Sequence, residues 1–381
     1  MSQELEKQAI SLLVNSTEEV IQQFHRVCRL SDYVTHSVMR HGDIVGELAE
    51  SGDLDRPDEK GALNARVRKR FDQPFEVDQF DSTLRRVRRR EMIRIIYRDF
   101  SRYADLPETT GDLSELAEVC ISLCLEYHYR NACQKYGVPE SVDGTSQEMS
   151  VLALGKLGGG ELNLSSDVDL IFLYGRQGSA VSDSGKEISN QEFFLRVSRQ
   201  LIASLSATTE DGFVFRVDMR LRPYGESSTL IMHRAALEKY FLEQGRDWER
   251  YAFIKARAVA GDMDLGESFL DWLKPFIYRK HLDYGAIESL REMKRLIDRQ
   301  VELNELSRDL KLGAGGIREI EFIAQTQQLI FGGNNSRLQE RKLRSVMKVM
   351  GEEKYLPDGD VALLESAYVF LRNSEHGIQG E

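Results

Sequence analysis

Two aspartates separated by one residue, Asp167 and Asp169, stand at the start of an apolar segment. The stretch from Val168 to Tyr174 predicts a buried β-strand, in which residues two apart project from the same face. Two carboxylates on one face can bind hard cations such as Mg²⁺. An isolated Asp-x-Asp pattern is also typical of a solvated turn before a strand, so its neighbours in the sequence must decide between the two.

Glycines and serines precede this pair. Gly158, Gly159 and Gly160 leave the backbone bare of side chains, so that amides can approach phosphate oxygens, and Ser165 and Ser166 add hydroxyl donors. Glycines, serines, paired aspartates and a buried strand in this order favour nucleotidyl or phosphoryl transfer over a simple turn. Gly158, Gly159, Ser165 and Ser166 are therefore predicted to bind phosphate or nucleotide.

A third carboxylate lies on a second predicted strand, Phe213 to Leu221, which alternates apolar and charged residues. A two-metal centre usually takes such a ligand from a neighbouring strand, so Asp167, Asp169 and Asp218 are predicted to be catalytic and to bind two Mg²⁺ ions. The polar face also carries arginines, which bind phosphate oxygens in bidentate fashion or else neutralise the carboxylates in salt bridges. These arginines are Arg216, Arg220 and Arg222.

Two glutamates farther along the chain, Glu319 and Glu321, follow the glycine loop 313–316 at the start of a predicted helix. Carboxylates there stabilise the positive end of a helix, so fold stability alone can explain them. Their other interpretation is that they complete the active site from the helical part of the chain.

The composition of the chain excludes several classes of protein. The net charge of −11 over 381 residues argues against binding of long nucleic acid. No apolar stretch approaches the roughly 20 residues that span a membrane. The N-terminus lacks the pattern of a signal peptide and the four cysteines suit a reducing compartment, which together predict a cytoplasmic protein. Cys120, Cys124 and His128 would share one helical face, where buried core residues are favoured over a metal site.

The hydrophobic period predicts an α+β fold, with a short sheet embedded in a mainly helical chain. Three regions are expected: a helical region 1–137, a core 138–232 and a helical region 233–381. Within the core, strands are predicted at 150–154, 168–174 and 213–221, with a helix at 190–208.

The motifs resemble those of bacterial glutamine synthetase adenylyltransferase, the bifunctional adenylyl transferase and adenylyl-removing enzyme. The resemblance covers most of the chain and rests on the segments 155–172, 216–223, 315–322, 89–94 and 97–99. It implies a polymerase-beta-like fold, metal ions on the three aspartates, and glutamine synthetase as the protein substrate. The broader superfamily often places its Gly-Ser turn farther ahead of the aspartates, so which glycine or serine touches phosphate stays open.

That family joins two nucleotidyltransferase halves, and this chain is long enough for one. Its Gly-Gly-Gly-Glu-Leu-Asn segment with paired serines, and its start at Met1, are more similar to the N-terminal, adenylyl-removing half. That half uses phosphate to release AMP from adenylyl-tyrosine as ADP. The resemblance also implies responses to the PII signalling protein and to glutamine. Two other functions stay open: transfer of AMP from ATP to the synthetase, and a non-catalytic module that binds a nucleotide or a regulator.

Overall fold

The computed structural model describes residues 17–280, 284–303 and 309–380. Helices occupy its N-terminal part, and local signals explain where they begin. The Asp105 side chain accepts a hydrogen bond from the amide of Glu108 at 2.9 Å and so caps the longest of them. These helices are α1 (Glu18–Leu30), α2 (Asp32–Arg40), α3 (Gly42–Ser51), α4 (Ala62–Arg68), α5 (Val77–Phe100) and α6 (Leu106–Tyr136).

Helix α6 buries Cys120, Cys124 and His128, which confirms that these residues belong to the core. The His128 imidazole bonds to the hydroxyl of Ser204 at 2.8 Å, and burial lowers its pKa to about 4. This histidine therefore stays neutral at physiological pH and has a packing role.

A five-stranded sheet lies behind the N-terminal helices. Its strands run in the order β6–β3–β2–β8, and β7 also pairs with β3. Strands β2 and β3 are antiparallel, whereas β6 and β7 run parallel to β3. The strands are β2 (Met149–Ala153), β3 (Val168–Tyr174), β6 (Val217–Asp218), β7 (Ile231–His233) and β8 (Arg257–Gly261); β1 (Pro139–Ser141), β4 (Gly178–Val181) and β5 (Glu187–Ser189) form a second small sheet.

Both faces of the main sheet are covered, because β2 and β3 are apolar throughout. Leu170 and Phe172 of β3 pack on the side of α6 and α8 (Asn190–Ser206). Ile171 and Leu173 pack on the opposite side, against α9 (Arg234–Glu243) and α11 (Met263–Ile277). The alternation places Asp169 on the second side, facing the C-terminal part of the chain.

The remaining helices follow the sheet and, in part, form a core of their own. They are α10 (Asp247–Phe253), α12 (Tyr284–Leu303), α13 (Ile317–Phe331), α14 (Leu343–Glu352) and α15 (Asp358–Gln379), and a single short turn, α7 (Gly155–Gly158), links β2 to the segment before β3. The predicted α+β class is confirmed. The three region boundaries remain predictions, although the sheet takes β8 from beyond residue 232.

One predicted strand is largely wrong. Of the stretch 213–221, only Val217 and Asp218 form a strand. The edge of β3 is shared: β6 pairs with its first two residues, and β7 occupies the edge from Phe172 to Tyr174. A longer β6 would have no partner to complete its ladder of hydrogen bonds. The predictions for 150–154, 168–174 and 190–208 hold to within two residues.

The arginine run at 85–90 lies in α5 and is mostly ion-paired inside the protein. Arg90 bonds to Asp53 and to buried Glu91, and Arg94 one turn later also bonds to Glu91. Despite its burial, the hydrogen bond from Arg66, together with Arg94 and Arg90, holds the pKa of Glu91 at about 2. The run thus contributes to the ion-pair network of the helical region. No helix in the described ranges is both long enough and apolar enough to span a membrane.

Candidate active site

Three aspartates meet where β3 and β6 run side by side. The parallel register places Asp169 directly opposite Asp218, and the amide of Val168 donates to the carbonyl of Arg216 at 2.9 Å. Asp167 precedes β3 and projects to the same side as Asp169. All three line one cleft of about 890 Å³, as the sequence predicted.

The pKa values of Asp169 and Asp218 are shifted in opposite directions. Burial, reinforced by the neighbouring charges of Asp218 and Asp167, raises the pKa of Asp169 to about 6. Hydrogen bonds from Arg220 hold the pKa of Asp218 below its usual value. Asp169 is therefore a desolvated acid among like charges, and a bound cation would relieve its repulsion.

Two of the predicted arginines lie at the mouth of the cleft. The Nε of Arg216 contacts the Oδ1 of Asp167 at 2.5 Å, and Arg220 contacts the Oδ2 of Asp218 at the same distance. Their side chains are 53% and 74% exposed, and both form the salt bridges to the carboxylates that were one of the two predicted roles. Arg222 donates to the carbonyl of Met219 at 2.6 Å and lies outside the cleft, in a shallow neighbouring depression.

The aspartates supply the oxygen donors that Mg²⁺ prefers. Among the described residues no cation forms an ion pair with Asp169, and Lys311 and Arg220 act on it only at longer range. In the part of the chain that the structure describes, no three acidic, histidine or cysteine side chains are gathered closely enough to form a complete ligand set. Arg216 and Arg220 take up the oxygens of Asp167 and Asp218 instead. Because exposed ion pairs are weak, both guanidinium groups can leave at little cost when a cation binds.

A glycine absent from the predicted site lies closest to Asp169. Gly155 adopts φ +56°, and a Cβ atom at this position would come within 2.6 Å of the Oδ2 of Asp169. Gly158 and Gly159 lie one turn later and do not line the cleft; a Cβ on Gly158 would collide with the backbone of Lys255 and Ala153. These two glycines serve close packing here, and the bare backbone next to the carboxylates belongs to Gly155.

We therefore expect Gly155→Ala to lower the rate of the reaction catalysed at this cleft at least tenfold, because the added methyl group displaces the Asp169 carboxylate. Gly144→Ala is the matched control, since Gly144 also has a positive φ of +80° but no atom within 4 Å of its added methyl. Both variants should lose about 1 kcal/mol of stability through backbone strain. Thermal unfolding and activity assays on the pair test this, and equal activities would contradict it.

The remaining predicted residues divide between the cleft and its surroundings. Ser165 and Ser166 line the cleft. Glu321 also lines it and bonds to the Nζ of Lys255 at 2.9 Å. Glu319 lies outside it, where it accepts from the amide of Gly315 at 2.7 Å and pairs with Lys294, so its position fits the helix-stabilising interpretation.

Other lining residues were not predicted. Several are basic, and burial lowers the pKa of one of these, Lys156, to about 8, aided by the nearby Arg372. Others are apolar and come from segments far apart in the sequence, so no local motif could predict that they line the same cleft. Lys156, which directly follows Gly155, could have been found as part of the glycine-rich segment. The missed residues are Gly155, Lys156, Lys255, Lys311, Arg318, Leu221, Trp248, Tyr251, Ala252, Met293, Gln325 and Gln379.

Comparison with known proteins now identifies the family. The model of the glutamate-ammonia ligase adenylyltransferase family matches residues 21–272, which include all three aspartates. The chain belongs to this family. Residues 291–380 match a second model, that of the GlnD PII-uridylyltransferase family.

Similarity to individual proteins supports the same family assignment. A bifunctional glutamine synthetase adenylyltransferase/adenylyl-removing enzyme from Pseudomonas aeruginosa is 48% identical over 376 residues, covering 98% of this chain. A protein of the same name from Shewanella woodyi is 40% identical over 375 residues. In both cases the match spans only 38% of the relative's length.

Proposed function

We propose that this chain removes AMP from an adenylyl-tyrosine of glutamine synthetase by phosphorolysis, yielding ADP and the free tyrosine. The observation that carries the proposal is the cleft in which Asp167, Asp169 and Asp218 converge beside basic residues. Such a site can hold a phosphodiester and stabilise its charge during transfer. The relatives' printed name includes both adenylyl transfer and adenylyl removal, and their matched segment is the N-terminal portion.

The chemistry divides among the residues of the cleft. Asp167, Asp169 and Asp218 would hold one or two Mg²⁺ ions, which when bound polarise the phosphoryl oxygens. Lys156 and Lys311 lie where they can bind oxygens of the incoming phosphate. An oxygen of hydrogen phosphate forms the new bond to the adenylyl phosphorus, the bond to the tyrosine oxygen breaks, and the phenolate takes up the proton that the phosphate gives up. The products are then ADP and unmodified synthetase.

The surroundings of the cleft favour a protein substrate. The cleft opens to solvent, so it can accept a tyrosine presented on a macromolecule. The net charge of the chain, −11, disfavours nucleic acid as the substrate. We also propose that PII and glutamine regulate the activity. The match of residues 291–380 to a PII-uridylyltransferase family supports a link to PII signalling. A cytoplasmic location would follow from this substrate.

The deciding experiment incubates the chain with Mg²⁺ under two conditions. Adenylylated synthetase and inorganic phosphate should yield ADP and restored synthetase activity. Unmodified synthetase with ATP should yield no pyrophosphate. Pyrophosphate release in the second reaction, without ADP in the first, would instead support the forward transfer, and the absence of both would favour a non-catalytic binding module.

A further inference from the structure

The lining of the cleft is mixed in chemistry. It includes the aspartates and basic residues, and also apolar and aromatic residues, three of them from α10. Trp248 is 38% exposed although its indole is large, and Tyr251 follows three residues later on the same helix with its ring 5.8 Å from that of Phe322. An exposed aromatic ring in a cleft offers a flat face on which a nucleobase can stack. The apolar and aromatic lining residues are Leu221, Trp248, Tyr251, Ala252 and Met293.

A buried amide lies in the same cleft. Gln325 of α13 is 6% exposed and lines the cleft one helical turn after Glu321. Within residues 17–280, 284–303 and 309–380 its side chain makes no hydrogen bond. By contrast, Gln328 on the same helix donates to the carbonyls of Leu338 and Glu340 at 2.6 and 2.7 Å. The amide atoms of Gln325 are not among the fully buried atoms that lack a partner, so they face the open space of the cleft, where a ligand can bond to them.

The amide of glutamine presents a donor and an acceptor side by side. Adenine presents the complementary pair, with its 6-amino group next to a ring nitrogen, and glutamine reads this edge in bidentate fashion. We propose that Trp248 and Gln325 form a nucleobase pocket, in which Trp248 stacks on adenine and Gln325 reads its 6-amino edge. The inference rests on the proposed function in one respect: it assumes that the base of the bound nucleotide is adenine. Gln325 is thereby a specificity-determining residue.

The test measures binding by calorimetry in Mg²⁺ for two ligands, ADP and the purine riboside diphosphate that lacks the 6-amino group. For the unsubstituted chain, loss of the amino group should weaken binding about tenfold or more. Gln325→Met keeps the size of the side chain but removes both hydrogen bonds, so this variant should bind the two ligands equally. Gln22→Met, an exposed substitution in α1, should behave like the unsubstituted chain.

A second measurement tests whether the base stacks on Trp248. The chain has two tryptophans, and Trp272→Phe leaves Trp248 as the single indole reporter. ADP should quench its fluorescence, whereas pyrophosphate should not. The proposal is overturned if the amino group contributes equally with and without Gln325, or if pyrophosphate and ADP quench alike.

The two proposals can fail separately. If ADP forms from adenylylated synthetase but the amino group and Gln325 are uncoupled, the base pocket is wrong and the removal reaction stands. If the coupling is present but only pyrophosphate is released from ATP, the base pocket stands and the proposed direction of the reaction is wrong.

Discussion

Asp169→Asn is expected to abolish adenylyl removal and at the same time to make the protein more stable. Asp169 is the most desolvated member of the carboxylate cluster and lies opposite Asp218. Asparagine keeps the shape of the side chain but loses the charge that would bind a cation. We expect the rate to fall on the order of 10³-fold, the loss seen when one preorganised charge-stabilising group is removed from an active site.

The gain in stability follows from the raised pKa. Its value of about 6 in the folded protein exceeds the ordinary 3.8, so ionising Asp169 costs folding free energy. This cost is absent below pH 3.8, grows through pH 6 and is complete above it. Without divalent cations, the variant should therefore be more stable at pH 8 by about 1–3 kcal/mol, and close to the unsubstituted chain at pH 4.

Thermal unfolding at the two pH values and the phosphorolysis assay measure these effects. Asp183→Asn is the matched control, since Asp183 is exposed in the loop between β4 and β5. It should change neither quantity. If Asp169→Asn retained full activity, the metal-site hypothesis would be wrong, whatever its stability.

Lys255→Met is expected to cause the largest loss of stability. The ammonium group of Lys255 is buried between Glu161 at 3.0 Å and Glu321 at 2.9 Å. Against the effect of burial, Lys255 holds the pKa of Glu321 at about 2. Methionine fills the same space but leaves Glu161 and Glu321 without their direct ion-pair partner, which costs about 3–5 kcal/mol.

Lys239→Met provides the comparison, because Lys239 is 73% exposed and its ion pair with Glu243 spans 4.0 Å. This control should change stability by less than about 0.5 kcal/mol. The difference between the two variants should shrink as pH falls below about 4.5, where the stranded glutamates can be protonated. Restored stability in the triple variant Lys255→Met, Glu161→Gln and Glu321→Gln would confirm the cause, whereas equal stability of the two single variants would refute it.

The carboxylate cluster could be predicted because its signals are local. The spacing of Asp167 and Asp169 and the apolar run behind them determine a strand with both side chains on one face. Asp218 was placed correctly although its strand is much shorter than predicted, because side-chain alternation survives in the two residues that pair with β3. Strand length depends on which partner occupies the sheet edge, and that information lies in the distant β7.

For the glycines predicted to bind phosphate, the deciding contacts are distant in the sequence. Gly158 and Gly159 were chosen because glycine runs are typical of phosphate loops. The space at Gly158 is limited by the backbone of Lys255, about one hundred residues later in the chain, and the space at Gly159 by the side chains of Glu161 and Lys255. Gly155 was overlooked because its distinguishing feature is a close approach to Asp169, which a one-dimensional pattern cannot show. Glu319 and Glu321 look alike in sequence and differ only in what the fold places beside them.

By itself the sequence determined the α+β class and predicted that the three aspartates lie together, since periodicity and spacing act over a few residues at a time. Tertiary structure alone decided that Lys255 pairs with Glu161 and Glu321, and that Trp248 and Gln325 lie in the same cleft as Asp169. These groups come from separate helices, brought together when both faces of the sheet are buried. Burial also sets their charge states and hydrogen-bond needs, because desolvation depends on the packed surroundings and not on neighbouring residues in the chain.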